Sequence, residues 1–278
     1  MATTINTNVP SLTAQRALSS TSGSLSTSMQ RLSTGLRVNS AKDDAAGLAI
    51  AERMTSQVRG MNVASRNAND AISMLQTAEG GLGKVGESLQ RMRELAVQSA
   101  NGANSTSDRA NLNSEYQALG KEISRVLDGT KFNGKQLISS GAADTTFQVG
   151  SGTNATDTIT VSLGTIGGSV GTSLADALTG DITDEANSKT ALDNLDLAID
   201  SVTTARAAIG ASQNRFESVV ANLSTMSENL NQSKGRIMDA DFAVETSNMS
   251  RAQVLQQAGN AMLAQANQQP QQVMSLLR

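Results

Sequence analysis

Apolar positions recur along this chain with the period of paired helices rather than that of a globular face. Between Ala45 and Ala100, large side chains fall at Ile72, Leu75, Leu82, Leu89 and Met92, and Leu75, Leu82, Leu89 and Ala96 are seven apart. A seven-residue repeat predicts a coiled-coil seam. Asn101-Gly102-Ala103-Asn104 interrupts it with turn chemistry, and Ser107-Asp108 is positioned to cap a second helix carrying Leu112, Tyr116, Leu119, Ile123 and Val126 to Asp128-Gly129. The clearest repeat is Leu195, Val202, Ile209, Phe216, Leu223 and Leu230. Forty helical residues would extend about 60 Å at 1.5 Å per residue, so this helix must lie along partners.

Residues 130–190 differ in character. Eight of the 23 glycines fall between Gly141 and Gly180. Phe147-Gln148-Val149 and Ile159-Thr160-Val161-Ser162-Leu163 alternate as strands do, and Asn133-Gly134 signals a tight turn. One or two hairpins are predicted here, with a disordered Ser/Gly/Thr linker over 164–190 as the alternative. Prolines occur only at Pro10 and Pro270, so none breaks the helices between them.

The two ends form a matched pair. Residues 1–42 hold no acid and carry Leu18, Leu25, Met29, Leu32 and Leu36 as a seam. Residues 246–278 also lack acids and carry Val254, Leu255, Met262, Val273, Leu276 and Leu277 among many glutamines. Exposed helices normally carry both charge signs, so these ends suit burial against neighbours. Their few large aliphatic side chains do not offset the entropy of ordering some forty residues each. Both ends are therefore expected to be disordered in the free chain and to fold on assembly.

Composition narrows the function. Among 278 residues there is no Cys and no His, and no Trp, with one Tyr and four Phe. Disulfides, thiolate metal sites, His-activated nucleophiles and imidazole acid–base catalysis are thereby excluded. Aromatics at 2% leave few platforms for stacking sugars or bases, and a net charge of −3 gives no reason to expect nucleic acid or an anionic membrane. The start, MATTINTNVPSL, has neither the basic opening nor the apolar run of a secretory signal, and no apolar stretch of about 18 residues could span a bilayer. An enzyme would have to use Asp144, Asp157, Asp176, Asp181, Asp184 and Glu185 of the centre. No enzyme activity and no cofactor are expected.

The remaining motifs read as structure. Gly81-Leu82-Gly83-Lys84-Val85-Gly86 has dinucleotide-site spacing but lies inside a helical heptad pattern instead of following a strand. Asp193, Asp196 and Asp200 fall opposite the Leu195–Val202 seam and predict a solvated face, as do Arg91, Arg93 and Glu94. The Asn-x-Ser/Thr triplets at Asn104, Asn154, Asn222, Asn231 and Asn248 are expected by chance in a chain so rich in Asn and Ser.

At both ends the residues resemble a known family. The run from Ser11 through Asn39-Ser40-Ala41-Lys42-Asp43-Asp44-Ala45-Ala46-Gly47 to Leu82, and the run from Ile237 to the closing Ser275-Leu276-Leu277-Arg278, resemble bacterial flagellins over roughly residues 1–136 and 190–278. Val38, where that family often has Ile, is a mild departure. The resemblance implies a mainly α fold: an elongated antiparallel helical bundle or coiled coil with paired termini and a small β-hairpin region at the tip. It implies an inner domain (D0) of residues 1–44 with 235–278 and a helical outer-core domain (D1) of residues 45–234, with the hairpin and variable region at 130–190. Asn39–Gly47 would link the two layers. Leu18, Leu25, Met29, Leu32, Leu36, Val254, Leu255, Met262, Leu276 and Leu277 would serve polymerisation. Leu75, Leu82, Leu89, Leu195, Val202, Ile209, Phe216, Leu223 and Leu230 would form the D1 seam.

The function so implied is that of a structural subunit polymerising into the extracellular bacterial flagellar filament for swimming. It would be exported unfolded by the flagellar type III apparatus and meet an export chaperone, the flagellar cap and hook-associated proteins. With only about 50 residues at the centre, a relatively smooth, thin filament is expected. Gln90–Gln98 resembles the segment sensed by Toll-like receptor 5, which implies recognition of the monomer through Arg91, Leu95 and Glu115; Met92 departs from the commoner Val. A hook–filament junction protein sharing the terminal helices is the alternative.

Overall fold

The computed structural model describes residues 7–139 and 141–276, with side chains as far as residue 268. Its helices are α1 (Val9–Thr34), α2 (Ala45–Ser99), α3 (Thr106–Gly129), α4 (Leu163–Thr179), α5 (Glu185–Met238) and α6 (Phe242–Leu276). Strands β1 (Lys131–Phe132), β2 (Lys135–Gln136), β3 (Thr145–Gln148) and β4 (Thr158–Val161) form two antiparallel hairpins. The chain divides into two compact units, one of residues up to 56 and from 229, the other Gln57–Glu228.

Within the Gln57–Glu228 unit, α2 and α5 run antiparallel. Arg93 Nε donates to Asp196 Oδ1 at 2.6 Å, Gly86 lies opposite Val202, and Gln213 Nε2 donates to Glu79 Oε2 at 3.1 Å. The seven-residue repeats meet in a continuous core. Leu75, Leu82, Leu89, Leu195, Val202, Ile209 and Phe216 are buried, and Leu223 is nearly so. Leu230, the last of the repeat, is half-buried and belongs to the other unit. Tyr116, Ile123 and Leu127 of α3 close one side. The Tyr116 hydroxyl donates to the Ala177 carbonyl at 2.7 Å, and burial pushes its pKa up to about 12. Helix α3 begins earlier than the sequence suggests: Ser105, not Ser107, is the N-cap, and Asp108 closes a capping box on it.

The hairpins fall where the alternation predicts them. Asn133 (φ 49°) and Gly134 (φ 78°) form the two-residue loop between β1 and β2; such a turn needs positive φ at both positions. Phe147 pairs with Ile159 across β3–β4 and meets Phe216 edge-on at 5.6 Å, while the Thr146 and Thr160 hydroxyls pair at 3.0 Å on the outer face. Residues 163–179, expected as hairpin or disordered linker, are instead helix α4. Leu163, Gly167, Val170, Leu174 and Ala177 form its buried face. Gly167 sits so close to the Ser139 carbonyl that a Cβ would overlap it. A glycine that obscures the helical period in the sequence thus lets α4 approach the backbone at Ser139 closely.

In the other unit, α1 and α6 pair antiparallel. Asn8 Nδ2 donates to the Ala266 carbonyl at 2.8 Å, the Ser11 hydroxyl meets Asn267 Oδ1 at 2.8 Å, and Arg31 faces Glu245 at 3.8 Å. Local signals bound these helices. Asn8 caps the start of α1, Pro10 occupies its first turn, and Gly35 ends it in the left-handed conformation (φ 72°). The Asp241 carboxylate accepts from the Ala243 and Val244 amides at the start of α6. Between the helices, Arg37 N donates to the Met238 carbonyl at 2.6 Å and Ala240 N to the Gly35 carbonyl at 3.0 Å. Residues 9–34 and 242–276 are thus helical, where the residue balance leads one to expect disorder. Among the described residues the pair nonetheless buries no large apolar side chain of α1 or α6 completely.

That contrast sets an exchange pattern. Amide exchange of the monomer should release α1 and α6 well before α2 residues 75–96 and α5 residues 195–216, and equal protection would contradict the packing difference. Replacing Phe216 by Ala should cost about 3–5 kcal/mol, read as a lowered denaturation midpoint with unchanged slope.

Candidate assembly and recognition surfaces

The inward face of the terminal pair is written in heptads of unlike filling. On α1 the buried and half-buried positions run mainly Ser11, Leu18, Leu25 and Leu32, with Ala14, Thr21 and Ser28 between them. On α6 they run Glu245, Ala252, Gly259 and Ala266, with Met249, Gln256 and Leu263 between. Gly259 abuts the Leu18 side chain, so leucines of one helix pack against small residues of the other. Of the expected polymerisation residues, Leu18, Leu25 and Leu32 belong to this intrachain seam, and Leu36 is half-buried where it bridges to Asp239. Met29, Val254, Leu255 and Met262 point outward and are more than half exposed. Leu277 and the side chain of Leu276 lie outside the described residues.

Hydropathy alone could not find the α6 seam, because apart from Met249 and Leu263 its members are small, amide-bearing or charged. The seven-residue spacing of Ala252, Gly259 and Ala266 is the signal that marks it. Val9, Leu12, Phe242 and Val244 are also exposed, so each terminal helix leaves large apolar side chains in water. Exposed apolar clusters of this kind mark contact surfaces.

The Asn39–Gly47 segment is organised by two neighbouring carboxylates. Asp43 Oδ2 accepts from the Asn39 amide at 3.0 Å, the Ser40 amide at 2.9 Å and the Ser40 hydroxyl at 3.1 Å. The Asn39 amide, and then the Ser40 hydroxyl and amide, hold the Asp43 carboxyl below its ordinary pKa. Asp44 Oδ1 instead accepts from the Gly47 amide at 2.8 Å and caps α2. A Cβ at position 47 would overlap that carboxylate and crowd Ile237, so glycine is required by the close approach.

A third surface lies where α2 meets α3. Arg91 donates from Nε (3.0 Å) and Nη2 (2.8 Å) to Glu115 Oε1, and from Nη1 to Glu94 Oε2 at 3.0 Å. These bonds, with Glu115 first, hold the guanidinium pKa above its ordinary value. All three side chains are about half exposed or more. Leu95 does not join them: its exposure is 0%, and it is part of the core. Helical spacing places positions 91 and 95 side by side, but only the first reaches solvent and the second enters the core.

Asp193, Asp196 and Asp200 are exposed, and Asp196 pairs with Arg93. Gly81–Gly86 lies within α2 and does not follow a strand. Among the described residues no group of three or more Asp or Glu is arranged to hold a metal.

Comparison with known proteins places these surfaces in context. The family model for the bacterial flagellin N-terminal helical region matches residues 5–143, and that for the C-terminal helical region matches residues 192–277. A flagellin from Halalkalibacterium halodurans is 46% identical over 275 residues, covering 99% of each chain. Flagellin A from Vibrio cholerae is 35% identical over a 382-residue alignment covering all of both chains. Among solved structures, Bacillus cereus flagellin is 30% identical with a TM-score of 0.50, covering 57% of this chain and 88% of that one.

The Asp43 geometry predicts an acid-sensitive loop. Its folded pKa lies below the unfolded one, so its contribution is complete above the ordinary Asp range and lost as pH falls through the folded value. The Asn39 and Ser40 amide resonances should therefore shift together on acidification, and Asp43→Asn should abolish that shift. An unchanged titration in Asp43→Asn would disprove the assignment.

Proposed function

The chain belongs to the bacterial flagellin family and is a structural subunit of the flagellar filament; on that premise we propose how it assembles and what it meets. The observation that carries the proposal is the exposure of large apolar side chains on the terminal helices, Met29, Val254, Leu255 and Met262 with Phe242 and Val244. A helix pair that leaves such side chains in water gains stability when other copies cover them. Leu18, Leu25, Leu32 and Leu36 hold α1 in place, and the outward residues together with Leu276 and Leu277 bind neighbouring copies. Residues 1–44 with 235–278 form the inner domain, and residues 45–234 form the surrounding one. The division of the chain into two compact units near residues 56 and 229 supports a two-part subunit of this kind.

The partially exposed terminal seam also suits a chain that must travel unfolded. Export through the type III apparatus, delivery by a chaperone, folding under the filament cap and an extracellular location follow from the family reading. The Vibrio cholerae relative needs a 382-residue alignment to match 278 residues here, which supports a filament with less outer material. No observation favours a hook–filament junction protein over this reading.

The Arg91–Glu115 surface is proposed as the patch through which Toll-like receptor 5 senses monomer. Arg91 and Glu115 offer the accessible polar groups, and Leu95, buried beneath them, fixes the helix that presents Arg91.

Deleting residues 246–278 should leave a folded, largely helical chain that no longer polymerises on added filament seeds, as read by sedimentation and electron microscopy. Filaments of normal appearance from that truncation would overturn the assembly mechanism. Arg91→Ala and Glu115→Ala should each weaken receptor signalling by monomer by about tenfold, the loss typical of one charge-assisted contact. Wild-type signalling from both would remove the patch from consideration.

A further inference from the structure

The composition and the terminal geometry together determine where this chain is open to oxidation. It has no Cys, Trp or His, and its one Tyr, Tyr116, is fully buried, so the methionine thioethers are its principal targets for two-electron oxidants. Met1 and Met274 lie outside the described side chains, and the other methionines divide sharply by exposure. Met61, Met74 and Met92 are buried, and Met54, Met238 and Met249 are half-buried. Met29 is 55% exposed, Met226 48% and Met262 64%. Two of these three, Met29 on α1 and Met262 on α6, lie on the outward apolar faces of the terminal pair. Met262 is seven residues from the exposed Leu255, on one side of α6.

We infer that Met29 and Met262 are oxidation sites that switch the chain between assembling and non-assembling forms, a step that rests on the assembly reading above. Hydrogen peroxide, or another two-electron oxidant, transfers one oxygen to the thioether sulfur. The peroxide O–O bond breaks, an S–O bond forms, the sulfur gives up two electrons, and the second peroxide oxygen leaves as water. In the monomer the sulfoxide faces solvent and is hydrated, so the helix pair keeps its fold. Covered by a neighbouring copy, the same polar oxygen has to lose its water within an apolar contact, which disfavours assembly. In an assembled polymer those thioethers are covered, so the vulnerable form is the monomer. Reduction of the sulfoxide restores the apolar side chain.

The test treats monomer with hydrogen peroxide, removes the excess, and follows seeded polymerisation alongside peptide mass spectrometry. Met29, Met226 and Met262 should gain one oxygen before Met74 and Met92. The critical monomer concentration should rise by about tenfold, the equivalent of one lost apolar contact. M29L/M262L, a volume-conserving change, should polymerise after the same treatment even with Met226 oxidised. M226L should remain as sensitive as the unaltered chain. The inference is overturned if treated M29L/M262L assembles no better than the treated unaltered chain; the assembly reading would stand, because untreated protein polymerises. If M29L/M262L itself fails to assemble, treatment of oxidised M226L with a methionine sulfoxide reductase decides the matter. Regained polymerisation supports the switch, and reduction without regained polymerisation refutes it. Failure of the untreated, unaltered chain to polymerise would instead refute the assembly reading.

Discussion

The packing of leucines from α1 against alanine and glycine on α6 is the constraint on which the terminal unit depends. Leu18 can approach Gly259 closely because nothing projects there, and Ala252 and Ala266 continue that groove along the helix. Close approach gives good backbone packing but covers little apolar area, since small residues have little to bury. The seam of α2 and α5 solves the same geometric problem with Leu, Val, Ile and Phe, and its members are excluded from solvent. Two seams of the same period thus differ greatly in how complete they are within one chain. The incomplete one leaves large apolar side chains exposed, and assembly follows from that shortfall.

Polar groups set limits that hydrophobic packing leaves open. A Leu-on-Gly groove is tolerant of sliding by a turn, whereas hydrogen bonds and charges are not. Asn8 and Ser11 bind near Ala266 and Asn267 at one end of the terminal pair, and Arg31 faces Glu245 at the other. Capping does the same work at helix ends: Asp44, Ser105 and Asp241 each satisfy amides that the helix leaves free. Asp43, one residue before a cap, accepts three hydrogen bonds that fold the segment leading into α2. Two adjacent carboxylates with separate duties explain why that short segment is so rich in side chains that bond to the backbone.

Much of the helical framework was legible in the sequence because large residues at a seven-residue spacing have few alternatives to a long helix with a partner. The β3–β4 alternation and the Asn133-Gly134 turn were legible for the same local reason. Helix α4 was not, since glycine weakens helix propensity and its packing against Ser139 is a contact distant in sequence. The α6 seam escaped because Glu245, Gln256 and Gly259 do not look like core residues. At the recognition surface, helical spacing brought Arg91 and Leu95 to one side, but burial of Leu95 depends on how the core packs.

The sequence by itself therefore determined the long heptad helices of the centre, the Asn133-Gly134 turn and the β3–β4 alternation, which depend on residues near one another in the chain, and its composition excluded imidazole and thiol chemistry. Tertiary structure alone decided which apolar residues face inward, that a glycine-rich stretch is helical, and which methionines remain in contact with water. Those outcomes depend on how much area each seam can cover, and area is a property of two surfaces brought together, which no single stretch of sequence contains.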